Sequence, residues 1–131
     1  MDKLKTIGLA AMILIIIDMV WILLFMGNRF GTMVTNIQGK PMSIKPLGVL
    51  LSYIFLCIGV VYFGINHVDK NNPIYSSIMT GGLFGLLAFG IFDFTNYALF
   101  SDYKLSTAII DTIWGGFLCA FTTYVTFRIF S

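Results

Sequence analysis

Four stretches of this chain each run for about 20 residues with hardly a charge, the length of helix that crosses the hydrocarbon core of a bilayer. The first extends from Thr6 to about Met26 and is closed by "GNRFG". The second covers about 47–66, entered through "SIKP" with Pro46 just ahead of it. The third begins at "NNP" and covers about 74–100; the fourth follows "SDYK" and covers about 106–128. In "NNP", Asn72 can cap orphan backbone N–H groups and Pro73 suits the first helical position. Short polar loops between such runs join antiparallel neighbours. The spacing therefore predicts an all-α fold, an integral membrane four-helix up-down bundle, with residues 1–131 as a single transmembrane domain.

Composition agrees. The chain is 58% hydrophobic and 11% charged, with a mean hydropathy of +0.91. A soluble domain carries about a quarter of its residues as Asp, Glu, Lys and Arg, and a soluble fold of this size could not bury so many oily side chains. The net charge of +2 is too small to point to a nucleic-acid partner; the partner the sequence implies is the lipid bilayer. Cys57 and Cys119 both lie inside apolar runs and read as small hydrophobes. There is no CxxC, no Cys/His cluster and no serine–histidine arrangement, so the sequence supplies no metal-ligand set, no cofactor signature and no support for a hydrolase. His67, at the end of the second span, reads as a solvated interfacial residue.

"MDKLK" before the first span resembles the basic start of a signal peptide. The apolar run that follows exceeds the usual ~7–15 residues, and no small-residue cleavage site follows it. The first span is therefore expected to be retained. Orientation is not decided by charge: Lys3, Lys5, Lys70 and Arg128 fall on one side, Arg29, Lys40, Lys45 and Lys104 on the other.

Against this background three aspartates stand out, Asp18, Asp93 and Asp111, each inside a span, with no Lys or Arg in the spans' interiors. An acid at mid-membrane costs about 2.5–3.5 kcal/mol on insertion scales unless it faces protein or water. At about 1.5 Å per helical residue, Asp18 lies roughly 12–15 Å below the first loop. Asp93 and Asp111 lie roughly 10–14 Å and 6–10 Å below the third. Those loops are on one side, so all three acids share one half of the bilayer and can meet inside the bundle. Trp21 and Trp114 stand at i+3 from Asp18 and Asp111, on the same helix faces. A tryptophan that deep, away from its usual interfacial belt, is expected to donate its indole N–H to the acid. On the third span "FDFTNY" sets Asn96 and Tyr97 at i+3 and i+4 from Asp93 as further donors.

The repeated Asp-x-x-Trp in the first and fourth spans reads as similarity of role. An inverted duplication would place the two aspartates at mirrored depths, whereas both fall in one half. Gly81 and Gly85 in the third span, and Gly116 and Ala120 in the fourth, have the small-xxx-small spacing that lets helices approach closely.

The block "GGLFGLLAFGIFDFTNYALF…AIIDTIWGGFLCA", together with "IDMVWILLF", resembles the predicted four-span membrane proteins of domain-of-unknown-function family 2177. That family's pattern is a Leu-Asp-x-x-Trp first helix, a Tyr-Asp-Leu-Thr-Asn third helix and an Asp-x-x-Trp-Gly fourth. Asp18 and Trp21 match the first motif, Asp93, Thr95 and Asn96 the second, and Asp111, Trp114 and Gly115 the third. Phe92 and Phe94 replace the Tyr and Leu of the second motif, and the first replacement removes a hydroxyl. The resemblance implies a site at these positions and names no activity.

Together these features predict an intramembrane polar pocket built by Asp18, Asp93, Asn96 and Asp111, with Thr95 as part of the motif, and walled by Trp21 and Trp114. The function expected of it is transport-like: handling of a proton, a cation or a small polar solute by a homo-oligomer. The alternative is a structural or accessory subunit of a larger membrane assembly, in which the acids only hydrogen-bond helices together.

Overall fold

The computed structural model describes residues 3–41 and 43–130 as four helices. They are α1 (Lys3–Gln38), α2 (Pro46–His67), α3 (Pro73–Leu99) and α4 (Leu105–Phe130). Met1 and Asp2 of "MDKLK" and Met42 of "KPMSIKP" lie outside the described residues. All four helices are long and apolar enough to cross a membrane, and they form an up-down bundle. Large apolar side chains such as Leu24, Phe55, Ile91 and Leu99 cover the outside, as a lipid environment requires. The core joins Ala10 and Leu14 of α1, Val60 and Val61 of α2, and Leu118 and Cys119 of α4. Cys57 and Cys119 are buried free thiols, and Cys57 Sγ donates to the Ile7 carbonyl at 3.4 Å.

The most extensive packing is between α3 and α4, and small residues make it so. A Cβ on Gly81 would run into Thr123, and one on Gly85 into the Gly115 carbonyl and Cys119. Gly82 packs against Ala120 and Gly116 against Leu86. In lipid, where apolar burial does not drive helices together, such close backbone approach is what holds them.

The helix α1 outlasts its apolar run. "GNRFG" does not end it; the helix continues for 12 more residues, Gly27–Gln38, and stops at Gly39, which takes the left-handed conformation (φ 76°) and donates its N–H to the Thr35 carbonyl. Two glycines cost about 1 kcal/mol each in a helix, but tertiary contacts override them: Phe30, Met33 and Ile37 pack on Tyr103 and Ala108. At 36 residues α1 is about 54 Å long, well beyond a hydrocarbon core of about 30 Å. Its polar last third leans on the loop between α3 and α4.

Three π turns interrupt the helices, at Ile22–Met26, Val60–Gly64 and Ile78–Gly82. The first has a visible purpose. In an unbroken α-helix Met26 would be rotated about 80° from the face of Asp18, because eight steps of 100° overshoot two turns. The extra residue of a π turn removes that offset, so Met26 and Met33 stay on the buried face begun by Thr6, Ala10, Leu14 and Asp18. The other two π turns face each other. Helices α2 and α3 pack there, near their short connection, and part toward the opposite end.

That connection differs in detail from the sequence expectation. Pro73 does occupy the first turn of α3, but the Asn72 side chain makes no capping hydrogen bond. Ser76 does the work instead: its Oγ accepts the Asp69 N–H and donates to the Asn72 carbonyl, both at 2.8 Å.

A carboxyl cluster as candidate functional site

The buried face of α1 repeats every four residues, Thr6, Ala10, Leu14 and Asp18, so Asp18 enters the bundle at the end of an apolar ladder. Its two oxygens are served from two other helices. The Tyr53 hydroxyl of α2 donates to Oδ2 at 2.5 Å, and the Trp114 indole of α4 donates to Oδ1 at 3.0 Å. The indole therefore does not serve the aspartate of its own helix. A side chain three positions on shares a face with its aspartate, and that face is turned toward the opposite helix, so the ring reaches across. Trp21 stacks on Trp114 with centroids 4.5 Å apart and planes 6° from parallel. Its indole comes close to Asp111 across the same interface, yet among the described residues Nε1 has no partner in hydrogen-bond geometry.

Asp93 on α3 is fully buried. Oδ1 accepts a hydrogen bond from the Tyr103 hydroxyl at 2.7 Å, whereas Oδ2 has no donor among the described residues. The group standing against Asp93 is the carboxyl of Asp111 on α4, with Thr112 beside it. Two acids from adjacent helices thus face each other.

Tyr103 lies in the α3–α4 loop, outside the spans, and closes the cluster from above. Phe30 meets its ring edge-on at 6.3 Å, and Met33 packs on it. Burial first, then the hydrogen bond and charge of Asp93, push ionisation of its phenol well above the ordinary 10.0. It remains a neutral donor.

Other expected members sit elsewhere. Asn96 is half-buried and lies near Tyr103, one step out from the acids. Thr95 is exposed, because two residues along a helix is about 200° of rotation from Asp93. Tyr97 is exposed as well. Conversely, Tyr53 and Tyr103 are donors that reasoning from aspartates and tryptophans passed over. Tyr53 carried a signal: a tyrosine about 10 Å inside an apolar span is out of its usual interfacial place. Tyr103 carried none, since "SDYK" reads as an ordinary loop.

Two cavities open beside the acids. One, of about 360 Å³, lies between α2 and α3 where they part and has Asp111 at its floor. The other, of about 340 Å³, has Asp18, Trp21 and Asp111 in its wall. Phe89 and Phe92 line both. Among the described residues no three His, Cys, Asp or Glu side chains stand close enough to hold a metal ion.

The sequence pattern of the family described as "Predicted membrane protein (DUF2177)" matches residues 3–128. The chain belongs to this family. No curated protein and no solved structure matches it. In this DUF2177 protein, Asp18, Trp21, Asp93, Asp111 and Trp114 come together from three helices, while Thr95 does not join them. Gly115 has a steric part: a Cβ there would strike the ring of Phe89, so the glycine lets a wall of both cavities lie close against α4.

Proposed function

We propose that this four-span membrane protein handles a proton or a monovalent cation at the Asp93–Asp111 pair. The observation that carries the reading is the donor-less Oδ2 of fully buried Asp93 standing against the Asp111 carboxyl. Two carboxyls sharing a site hold one proton between them. With a proton on Asp111, its O–H donates to Asp93 and the pair carries one negative charge. Release of that proton leaves two carboxylates, which a monovalent cation can then bridge. Exchange of this kind is the elementary step of coupled transport.

Asp18 supports a different role within the same cluster. Both its oxygens are already paired, with Tyr53 and Trp114, so it ties α1 to α2 and α4. If the same held for the pair, the chain would be a structural or accessory subunit. Proteoliposomes with a trapped pH dye separate the two readings. After an acid pulse, wild type should pass protons, and Asp93→Asn and Asp111→Asn should lose that flux while keeping their helical content. Unchanged flux in the double variant would leave the subunit reading.

A further inference from the structure

The 360 Å³ cavity has an unusual composition for a gap between lipid-facing helices. It is entered past Ser52 and Phe55, both exposed on the bundle's outer surface, and Phe84, Phe89 and Phe92 form much of its wall. At its floor is Asp111. Among the described residues no Lys or Arg lines it or the adjoining cavity that Asp18 borders. Behind Asp111 stands Asp93, fully buried with one oxygen unpaired. A purely apolar occupant such as an acyl chain would leave this negative floor without a partner. Aromatic faces around a carboxylate suit a cation with an apolar body, because the ring quadrupoles and the carboxylate attract the same charge.

We propose that the α2–α3 cleft is a lateral binding site for an amphipathic organic monocation, an ammonium carrying an aromatic or alkyl body. The cation enters from the bilayer and sets its charge against Asp111. The proposal rests on the reading of Asp111 as an exchangeable carboxyl, since bound ammonium and proton then compete for one group. Ser52 marks the mouth, the phenylalanines hold the body, and Asp111 selects charge.

The chain's two tryptophans, Trp21 and Trp114, are both in the cluster, so intrinsic fluorescence reads the site without a label. The protein in zwitterionic-lipid nanodiscs is titrated with benzyltrimethylammonium and, separately, with its uncharged isostere neopentylbenzene. A saturable fluorescence change with the cation is expected, with affinity at least about tenfold above that of the isostere, the equivalent of about 1.4 kcal/mol. Asp111→Asn should erase the preference. Ala88→Phe and Ser52→Phe fill the cleft without touching a carboxyl; either should abolish cation binding and leave proton flux intact. Equal binding of the isostere, which marks the cleft as a lipid-tail site, overturns the proposal. So does wild-type cation binding in a folded filling variant. Cation binding without any proton flux in wild type would remove the proton-exchange reading and leave the cleft's occupant standing.

Discussion

Replacing Tyr103 with Phe isolates one hydroxyl. The ring keeps its edge contact with Phe30 and its packing on Met33, so the loss is the 2.7 Å bond to Asp93 Oδ1 together with the hydroxyl's weaker contact with Asn96. Interhelix hydrogen bonds in membranes average about 0.6 kcal/mol, because partners remain available in the unfolded membrane state. This one should exceed that average. Asp93 is fully buried and its other oxygen is turned to Asp111, so among the described residues no group takes over at Oδ1. A hydrogen bond to a charged group contributes about 1.5–3 kcal/mol, and Tyr103→Phe should cost that much. The assay is a double-mutant cycle of Tyr103→Phe with Asp93→Ala, unfolded reversibly in bicelles by steric trapping. Once the carboxyl is gone the tyrosine hydroxyl has nothing to serve there, so Tyr103→Phe should cost almost nothing in the Asp93→Ala background. A coupling below about 0.5 kcal/mol, the scatter expected of independent sites, would refute the claim that Tyr103 is the buried carboxyl's donor.

Alkaline titration gives a companion result. The folded phenol of Tyr103 ionises above the ordinary 10.0, so its contribution to stability is full below that pH and is lost as pH rises toward the folded value. Tyrosinate absorbance should show one late-ionising phenol fewer in Tyr103→Phe than in wild type. Gly85→Val would press a branched side chain into the Gly115 carbonyl and Cys119; overpacking of this kind costs about 1–3 kcal/mol, and thermal unfolding should register it, with Gly48→Val, in open space, as the tolerated control. Deleting exposed Leu24 should convert the Ile22–Met26 π turn to α geometry and leave Met26 and Met33 on the buried face, since seven steps of 100° fall within about 20° of two turns, and a disulfide engineered between Met33→Cys and Ala108→Cys should still form. Far-UV circular dichroism should show an exciton couplet from the Bb transitions of the stacked indoles, and either Trp21→Phe or Trp114→Phe alone should remove all of it.

Four spans were legible because lipid imposes a length and a polarity on every crossing segment, and no packing detail can change either. The acids were legible for the complementary reason: a carboxyl where charge is expensive demands partners. Which partners is a matter of rotation about helix axes, and periodicity alone did not supply it. Trp114 serves Asp18 on another helix, and Asp93 draws its donor from Tyr103 in a loop instead of from Asn96 one turn away. The length of α1 was hidden for a similar reason. Gly27 and Gly31 signal a stop on local grounds, and the contacts that carry the helix through them come from Tyr103 and Ala108, more than 70 residues later in the chain. The π turns had no sequence signature at all, although the drift of the buried face between Asp18 and Met26 is the kind of irregularity that one produces.

The pairing of α2 and α3 resembles a clothes-peg. Their grip is at the Val60–Gly64 and Ile78–Gly82 turns, and their free arms frame the opening above Asp111. Along a helix, 12 residues make an arm of about 18 Å, so a tilt of about 5° at the grip moves the tip by roughly 1.5 Å. The gap beside the carboxyl is therefore governed from a distance, by how tightly Gly64 and Gly81 seat on Thr123 at the other end of the bundle. Substitutions there that never touch an acid should still widen or narrow its doorway.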